Sequence, residues 1–188
     1  MPQEPEVNYL NLWNQQSIEL GGKIYMTGGA IAGTKSYLKT TTCLDERTWK
    51  FKAGLADMHH ARDAHGMISW KDRYLIVVGS WHVEASTRTC EIYDTKHNVW
   101  HLLPELNEGT CAPGLIIVAD RYLYKLGGTT DIGKVEMLDL HKVNLGKSYK
   151  RRRALNNFDE YYSDCSQMSY IEEFESAEDL SMNINLKD

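Results

Sequence analysis

The sequence predicts an all-β protein built from repeated four-stranded sheets. Residues 17–140 consist largely of short β-branched and aromatic runs bounded by Gly, Asp and Asn, a pattern typical of strands and turns. The 3.6-residue periodicity of an amphipathic helix is missing from this region. The runs recur in the same order about every 50 residues, and such a period indicates a repeat architecture.

The clearest repeated element is an apolar or aromatic run that closes on two small residues. These pairs are Gly28-Gly29, Gly79-Ser80 and Gly127-Gly128, and their first residues are separated by 51 and 48 positions (79 − 28 and 127 − 79). Glycine at a strand end permits positive φ and close approach of a neighbouring backbone. No helix start follows the pairs and no GxxxxGK[ST] motif is present, which disfavours a phosphate-binding loop. We therefore assign these glycines a structural role.

A second strand-type run follows each pair and ends in aspartate, at Asp45, Asp94 and Asp139. Aspartate suits the point where a strand enters a turn. Trp49 and Trp100 follow the first two of these runs and are again 51 residues apart (100 − 49). We expect both tryptophans to fill the wedge between adjacent twisted sheets.

Four short strands in about 50 residues make one blade of a β-propeller. The arrangement resembles the kelch-repeat family, whose marks are a glycine pair closing the second strand, an aromatic residue near the end of the third and a spaced tryptophan on the fourth. The second unit carries these marks at Gly79, Tyr93 and Trp100, and Arg62 resembles the arginine repeated in the family. The resemblance covers about residues 17–145. It implies a partial kelch-type β-propeller of three blades, in which Arg62 bridges blades by hydrogen bonds to backbone carbonyls or an acid.

The chain divides into an N-terminal extension (1–16), the kelch-repeat blades (17–149) and a basic junction with an acidic, poorly ordered tail (150–188). The three units lie near 17–58, 59–106 and 107–149. The third unit departs from the pattern, because residues 144–149 contain no tryptophan and Tyr149 is a poor substitute.

Three wedge-shaped blades are too few for a closed ring, since closed propellers have 4–8. Four alternatives stay open. The chain is a fragment of a longer propeller, it forms an open arc, it hides a degenerate fourth blade that uses residues 168–171 as a strand, or it associates with itself or another chain to complete the ring.

Composition argues against several classes of protein. The 188 residues carry 21 basic and 26 acidic side chains, and a net charge of −5 disfavours a general nucleic-acid binder. No run approaches the ~20 apolar residues that cross a bilayer, so we expect no membrane partner. The four cysteines form no CxxC pair and the N-terminus lacks the features of a signal peptide, which favours the cytoplasm. The run Lys150–Arg153 leaves nuclear localisation open as an alternative.

The residues offer no catalytic, metal or cofactor site that stands out. His59 and His60 are adjacent, so on a strand they would point to opposite faces and could not chelate one ion together. No G-x-S-x-G element accompanies the serines that could be drawn beside a histidine or aspartate. We expect no enzyme, no metal and no cofactor.

Recognition in propellers lies in the loops that join the strands. The loops after the glycine pairs hold our candidate partner-binding residues, which are Lys35, Tyr37, Trp81, His82, Arg88 and Asp131. Trp81 is the strongest candidate, because it stands outside the repeated tryptophan position and an exposed loop tryptophan suits an interface anchor. We expect a non-enzymatic protein-interaction module, a scaffold or substrate receptor as the resemblance implies. The alternatives are an enzyme that uses a propeller-centre pocket, such as an oxidase, hydrolase or isomerase, and a structural unit that self-associates through open blade edges.

Overall fold

The structure is a computed structural model, and it describes residues 12–82, 85–129, 133–145 and 168–170. Within these ranges the chain forms sixteen strands, which are β1 (Leu12–Trp13), β2 (Gln16–Glu19), β3 (Lys23–Thr27), β4 (Ala30–Ile31), β5 (Thr41–Asp45), β6 (Lys50–Lys52), β7 (Gly66–Trp70), β8 (Tyr74–Val78), β9 (Trp81–His82), β10 (Ala85–Ser86), β11 (Cys90–Asp94), β12 (Val99–Leu103), β13 (Gly114–Val118), β14 (Tyr122–Leu126), β15 (Val135–Asp139) and β16 (Met168–Tyr170). A short 3-10 helix, Leu140–Lys142, follows β15.

The strands form three four-stranded antiparallel sheets of the same topology. The first sheet has the order β2-β3-β5-β6, the second β7-β8-β11-β12 and the third β13-β14-β15-β16, so each strand pairs with the next long strand of the chain. The two-residue pairs β1–β4 and β9–β10 lie outside these sheets. The prediction of an all-β protein with repeated four-stranded sheets is confirmed.

The second sheet lies between the other two. Leu75 and Val77 of β8 belong to the core shared with the first sheet, whereas Ile76 and Val78 belong to the core shared with the third. Successive side chains of a strand point to opposite faces, so both faces of β8 are covered and all four side chains are buried. This double burial explains why β8 is a continuous apolar run in the sequence.

Trp100 fills the space between the first and second sheets. Its ring stacks on Tyr93 with 4.9 Å between the centroids, and both side chains are buried. The indole Nε1 donates to Thr41 Oγ1 of the first sheet at 3.0 Å and to the Ala56 carbonyl at 3.1 Å. The outer strand of the second sheet is therefore joined to the first sheet by packing and by hydrogen bonds.

The prediction for Trp49 is wrong. Its side chain is 71% exposed and its φ is +54°, in the turn between β5 and β6. The strand register pairs Leu44 with Phe51 and Tyr93 with Trp100, so Phe51 is the structural counterpart of Trp100. The equal spacing misled because the β3–β5 connection, 28–40, is two residues longer than the β8–β11 connection, 79–89.

The fourth strand of the third sheet also differs from expectation. It is β16, whose Met168 and Tyr170 pair with Leu138 and Glu136 of β15. The strand therefore comes from the segment assigned to the tail, and it completes the third sheet instead of forming part of a fourth blade. Tyr149, Lys150–Arg153 and the other tail residues lie outside the described residues.

The aspartates at the ends of the third strands hold the turns together. Asp94 accepts hydrogen bonds from Arg73 Nε at 3.0 Å and Nη2 at 2.6 Å, and Asp139 accepts the same pair of bonds from Arg121. Asp45 accepts the backbone amides of the following turn instead, at 3.0 Å. This end of the sheets, which we call the turn end, is thus built from local contacts that repeat with the sequence.

Candidate functional site

The loops after the second strand of each sheet project from one end of the molecule. They are the described parts of residues 28–40, 79–89 and 127–134, and they lie opposite the turn end because the paired strands are antiparallel. The connections between sheets, 53–65 and 104–113, return to the same place, where β7 and β13 begin. We call the end formed by these five segments the loop end.

The loops are bonded to the connection that enters the following sheet. The Gly29 amide donates to the Arg62 carbonyl at 2.7 Å, and the Ser80 amide donates to the Thr110 carbonyl at 2.9 Å. The backbones come so close that a Cβ on Gly28 would overlap the Arg62 carbonyl oxygen. The glycine pairs therefore allow each loop to be held in one position by the neighbouring connection.

Arg62 organises the interface between the first and second sheets. Its side chain is 0% exposed, and Nη1 donates to the carbonyls of Gly79 at 2.8 Å and Thr89 at 2.7 Å. Nη2 donates to Glu91 Oε1 at 2.9 Å, and the Glu91 carboxylate also accepts the His59 amide at 2.7 Å. One ion pair thus holds a loop, a strand and the connection together.

The Glu91 carboxylate is buried, and burial alone would raise its pKa. The hydrogen bond from His60, the charge of Arg62 and the bonds from the His59 amide and Arg62 outweigh this effect and lower the pKa of Glu91 to about 2. The carboxylate is therefore ionised at neutral pH and requires the buried guanidinium as its counter-charge.

The interface between the second and third sheets uses the same carboxylate position with a different cation. Glu136 accepts the Asn107 amide at 2.8 Å, as Glu91 accepts the His59 amide. Its ion-pair partner is Lys125, which lies directly opposite on β14 with Nζ 3.9 Å from Glu136 Oε1. Burial lowers the pKa of Lys125, although Glu136 opposes that shift.

The cavity beside this pair is too small for a substrate. Its volume is about 10 Å³, and apolar side chains of the second and third sheets line it together with Lys125 and Glu136. A volume of this size holds roughly one water molecule.

His65 is another buried ionisable group at the loop end. Its Nε2 lies 2.8 Å from Thr27 Oγ1, and within the described chain its Nδ1 has no hydrogen-bond partner. Burial, with a smaller contribution from the charge of Arg62, lowers the pKa of His65 to about 3 from 6.5. The imidazole is therefore neutral in the folded protein.

This shift predicts a loss of stability in mild acid. Between pH 6.5 and about 3 the unfolded chain protonates His65 and the folded chain does not, so the free energy of unfolding falls as the pH is lowered. The contribution is about 1.4 kcal/mol per pH unit. Urea unfolding measured from pH 6.5 to 5 should give a free energy of unfolding that falls less steeply with decreasing pH for His65→Phe than for the unmodified protein. Glu91 does not interfere with this measurement, because its contribution to stability is lost only below pH 4.5. Equal slopes for the two proteins would show that His65 does not control the acid sensitivity.

The loop of the first sheet presents Lys35 on a tight turn. The Ile31 amide donates to the Ser36 carbonyl at 2.9 Å and the Thr34 hydroxyl donates to the Ile31 carbonyl at 2.9 Å, so the turn is closed by its own backbone and by the Thr34 side chain. Lys35 is exposed, and Tyr37 is half-buried where it bridges to Ala30.

In the 79–89 loop of the second sheet, Trp81 and Arg88 make intramolecular hydrogen bonds. The Trp81 amide donates to the Asp63 carbonyl at 2.7 Å, and its ring is half-buried. Arg88 Nε donates to the Leu106 carbonyl at 2.6 Å and lies 3.8 Å from Glu105 Oε2, so the guanidinium ties the loop to the 104–113 connection. Asp131 and the side chain of His82 lie outside the described residues.

The most exposed apolar residue of the loop end is Trp13, which was not among the sequence candidates. It pairs with Ala30 where β1 meets β4, its side chain is 61% exposed, and Ile31 of β4 is also exposed. Trp13 lies in the segment assigned to an N-terminal extension. The structure shows the equivalence, because Asn14, Ala64 and Ala112 all have positive φ two residues before the first strand of a sheet, but the three positions share no residue type that could have revealed it in the sequence.

The comparisons with known proteins add no family. No protein-family model matches the sequence, and no curated protein is significantly similar to it. In the described parts of the chain no helix has the length and apolar character needed to traverse a bilayer. The same residues contain no group of three or more His, Cys, Asp or Glu side chains placed to hold a metal ion.

Proposed function

We propose that the chain is a kelch-type β-propeller module that binds a protein partner through its loop end and catalyses no reaction. The observation that carries the proposal is the exposed Trp13 on backbone that is paired to β4 at this end. A large aromatic side chain held on rigid backbone is the usual anchor of a protein interface. The neighbouring Ile31 and the half-buried Trp81 add apolar area beside polar loop residues.

The kelch-type part of the proposal rests on four residues of the second repeat unit, 59–106. Gly79, Tyr93, Trp100 and Arg62 are the positions at which the sequence resembles the family, and all four contribute to the contact with the first sheet or its connection. The residues that carry the resemblance therefore belong to one structural interface, the one between the first and second sheets. We place the module in the cytoplasm, where thiols stay reduced, because Cys43, Cys90 and Cys111 are buried and unpaired.

The ionisable groups at the loop end favour binding over catalysis. Arg62 and Glu91 are consumed by an internal ion pair, and Arg88 is bonded to the 104–113 connection. An active site would need such groups to converge on a space where a substrate fits. The exposed apolar side chains of this end are Trp13 and Ile31, and they lie beside exposed polar loop residues such as Lys35.

Two tryptophans at opposite ends provide the test. Trp13 lies at the loop end and Trp49 at the turn end, and both are highly exposed. A partner captured by the unmodified protein from cell extract should be retained by Trp49→Ala and should lose about tenfold or more of its recovery with Trp13→Ala. Quantitative mass spectrometry of the captured proteins measures the ratio, and circular dichroism verifies that both variants are folded. Equal recovery with both variants, or selective loss with Trp49→Ala, would refute a loop-end anchor.

A further inference from the structure

The two internal interfaces of the molecule are built from the same pair of faces. We call the face of a sheet that points to the following sheet its forward face, and the opposite one its backward face. In the second sheet the forward face packs on the backward face of the third, and the backward face packs on the forward face of the first. The three-sheet stack therefore ends in one backward face and one forward face.

The exposed backward face belongs to the first sheet, and its apolar centre is flanked on β2 by the exposed Ser17 and Glu19. Tyr25 and Cys43 point toward the second sheet, so their neighbours on β3 and β5 point away from it. The register aligns Ile24, Leu44 and Phe51 in one row across three strands, and Phe51 is 50% exposed. The equivalent row of the second sheet is Leu75, Tyr93 and Trp100, which is buried against the first sheet.

The exposed forward face belongs to the third sheet and is also apolar. Its central row is Ile116, Tyr124 and Met137, and Ile116 is 47% exposed. Val118 and Leu126 are exposed on the same face. The equivalent row of the second sheet is Ile68, Ile76 and Ile92, which packs against the third sheet.

Each end thus exposes side chains at positions that the internal interfaces cover, and neither end face is covered by another described sheet. A forward face fits a backward face and not another forward face, because the internal contacts are always between unlike faces. A contact between the forward face of one molecule and the backward face of another is heterologous. Such contacts form a closed ring only if the rotation that relates successive copies adds up to a full turn, and otherwise they form an open filament.

Charge also distinguishes the exposed backward face from the two internal ones. The internal backward faces carry Glu91 and Glu136, which capture the amides of the connection from the preceding sheet. The register places Thr42 at this position of the first sheet, since Met26 pairs with Thr42 as Val77 pairs with Glu91. A sheet packed here meets a neutral threonine at the position where Glu91 and Glu136 need a cation and a connection amide, and the Glu19 carboxylate of this face is exposed on β2. This suits a separate chain.

We propose that two copies of the chain associate head to tail, the forward face of each third sheet packing on the backward face of the other copy's first sheet. Two copies contribute six sheets, which lies within the 4–8 of closed propellers. The ring buries both apolar ends of both copies and leaves the loop ends on one side. The inference rests on the propeller part of the proposed function, whereas partner capture through Trp13 tests its binding part separately.

Solution mass and two complementary variants test this assembly. Light scattering and sedimentation should give a dimer for the unmodified chain and no larger species as the concentration rises. Phe51→Asp on the backward face and Ile116→Asp on the forward face should each weaken the dimer by roughly a hundredfold. A mixture of the two variants should again form a two-chain species, because the forward face of the first and the backward face of the second are intact. Trp13→Asp, at the loop end, should leave the dimer unchanged.

Four results would overturn the proposal. They are a monomer at every concentration, open-ended growth with concentration, a mixture of folded variants that stays monomeric, and loss of the dimer with Trp13→Asp. Circular dichroism checks that each variant is folded, and Val118→Asp on the same face replaces Ile116→Asp if that variant unfolds. If the chain is monomeric but still captures its partner through Trp13, the head-to-tail dimer is refuted and the proposed partner binding at the loop end is retained.

Discussion

Arg62→Met will lower the free energy of unfolding by about 3–5 kcal/mol, because it leaves the Glu91 carboxylate buried without its counter-charge. The substitution also removes the donors to the Gly79 and Thr89 carbonyls. Methionine keeps much of the side-chain volume, so the loss reports on charge and hydrogen bonds more than on a cavity. Urea denaturation at pH 7 measures the difference.

Two further variants identify the cause. Arg73→Met removes an arginine that also contacts an aspartate through two nitrogens, but its side chain is partly exposed, and it should lose far less stability. The double variant Arg62→Met/Glu91→Gln should recover part of the loss, since no charge is then left buried. If Arg62→Met and Arg73→Met are equally mild, the buried pair does not stabilise the interface as described.

Gly79→Ala is the second substitution with a large expected effect. A Cβ at this position would overlap the carbonyl oxygen of Thr110, and the φ of +64° already disfavours any L side chain. Gly127→Ala is the matched control, because that residue also has a positive φ, +53°, but a Cβ there meets nothing within 4 Å.

We expect about 1–2 kcal/mol of lost stability for Gly127→Ala from backbone strain alone. Gly79→Ala should cost more than about 3 kcal/mol, because the loop and the 104–113 connection must also separate. Thermal and urea unfolding of both variants give the comparison. Similar losses would mean that positive φ, and not close approach of the two backbones, explains the glycine pairs.

The buried glutamates at the two internal interfaces are neutralised by different cations. Glu91 takes its counter-charge from Arg62 on the connection, and Glu136 takes it from Lys125 on the paired strand. Thr110 occupies the connection of the third sheet where Arg62 stands in the second, as the equivalent bonds to Ser80 and Gly29 show. The glutamate recurs at the same position of two units in the sequence, but nothing in the sequence indicates that its cation changes from Arg62 to Lys125.

Local repetition made most of the fold predictable. The aspartates at strand ends are set by contacts within one sheet, and the first two glycine pairs recur because each loop meets the next connection in the same way. Trp49 failed because an equal spacing in sequence was taken for an equal place in structure, although the preceding loop differs in length. Residues 168–171 were considered as a strand of a fourth blade, but their place in the third sheet was not predicted, because the partner strand β15 ends almost thirty residues earlier, at Asp139.

The candidate site was less predictable than the fold. The loops were identified, but hydrogen bonds across the sheet boundaries engage Arg88 and the Trp81 backbone, and no pattern along the chain reports them. Trp13 was missed because the residues before the first sheet looked like an extension.

The sequence by itself determined the all-β class, the three sheets and the turns that join their strands. These follow from strand periodicity and turn chemistry, which act between residues close together in the chain. Only the tertiary structure decided which aromatic residues are buried, which cation neutralises each glutamate and which apolar faces stay open. Those outcomes depend on how one sheet lies against the next, and side chains from distant segments meet there only after the chain has folded.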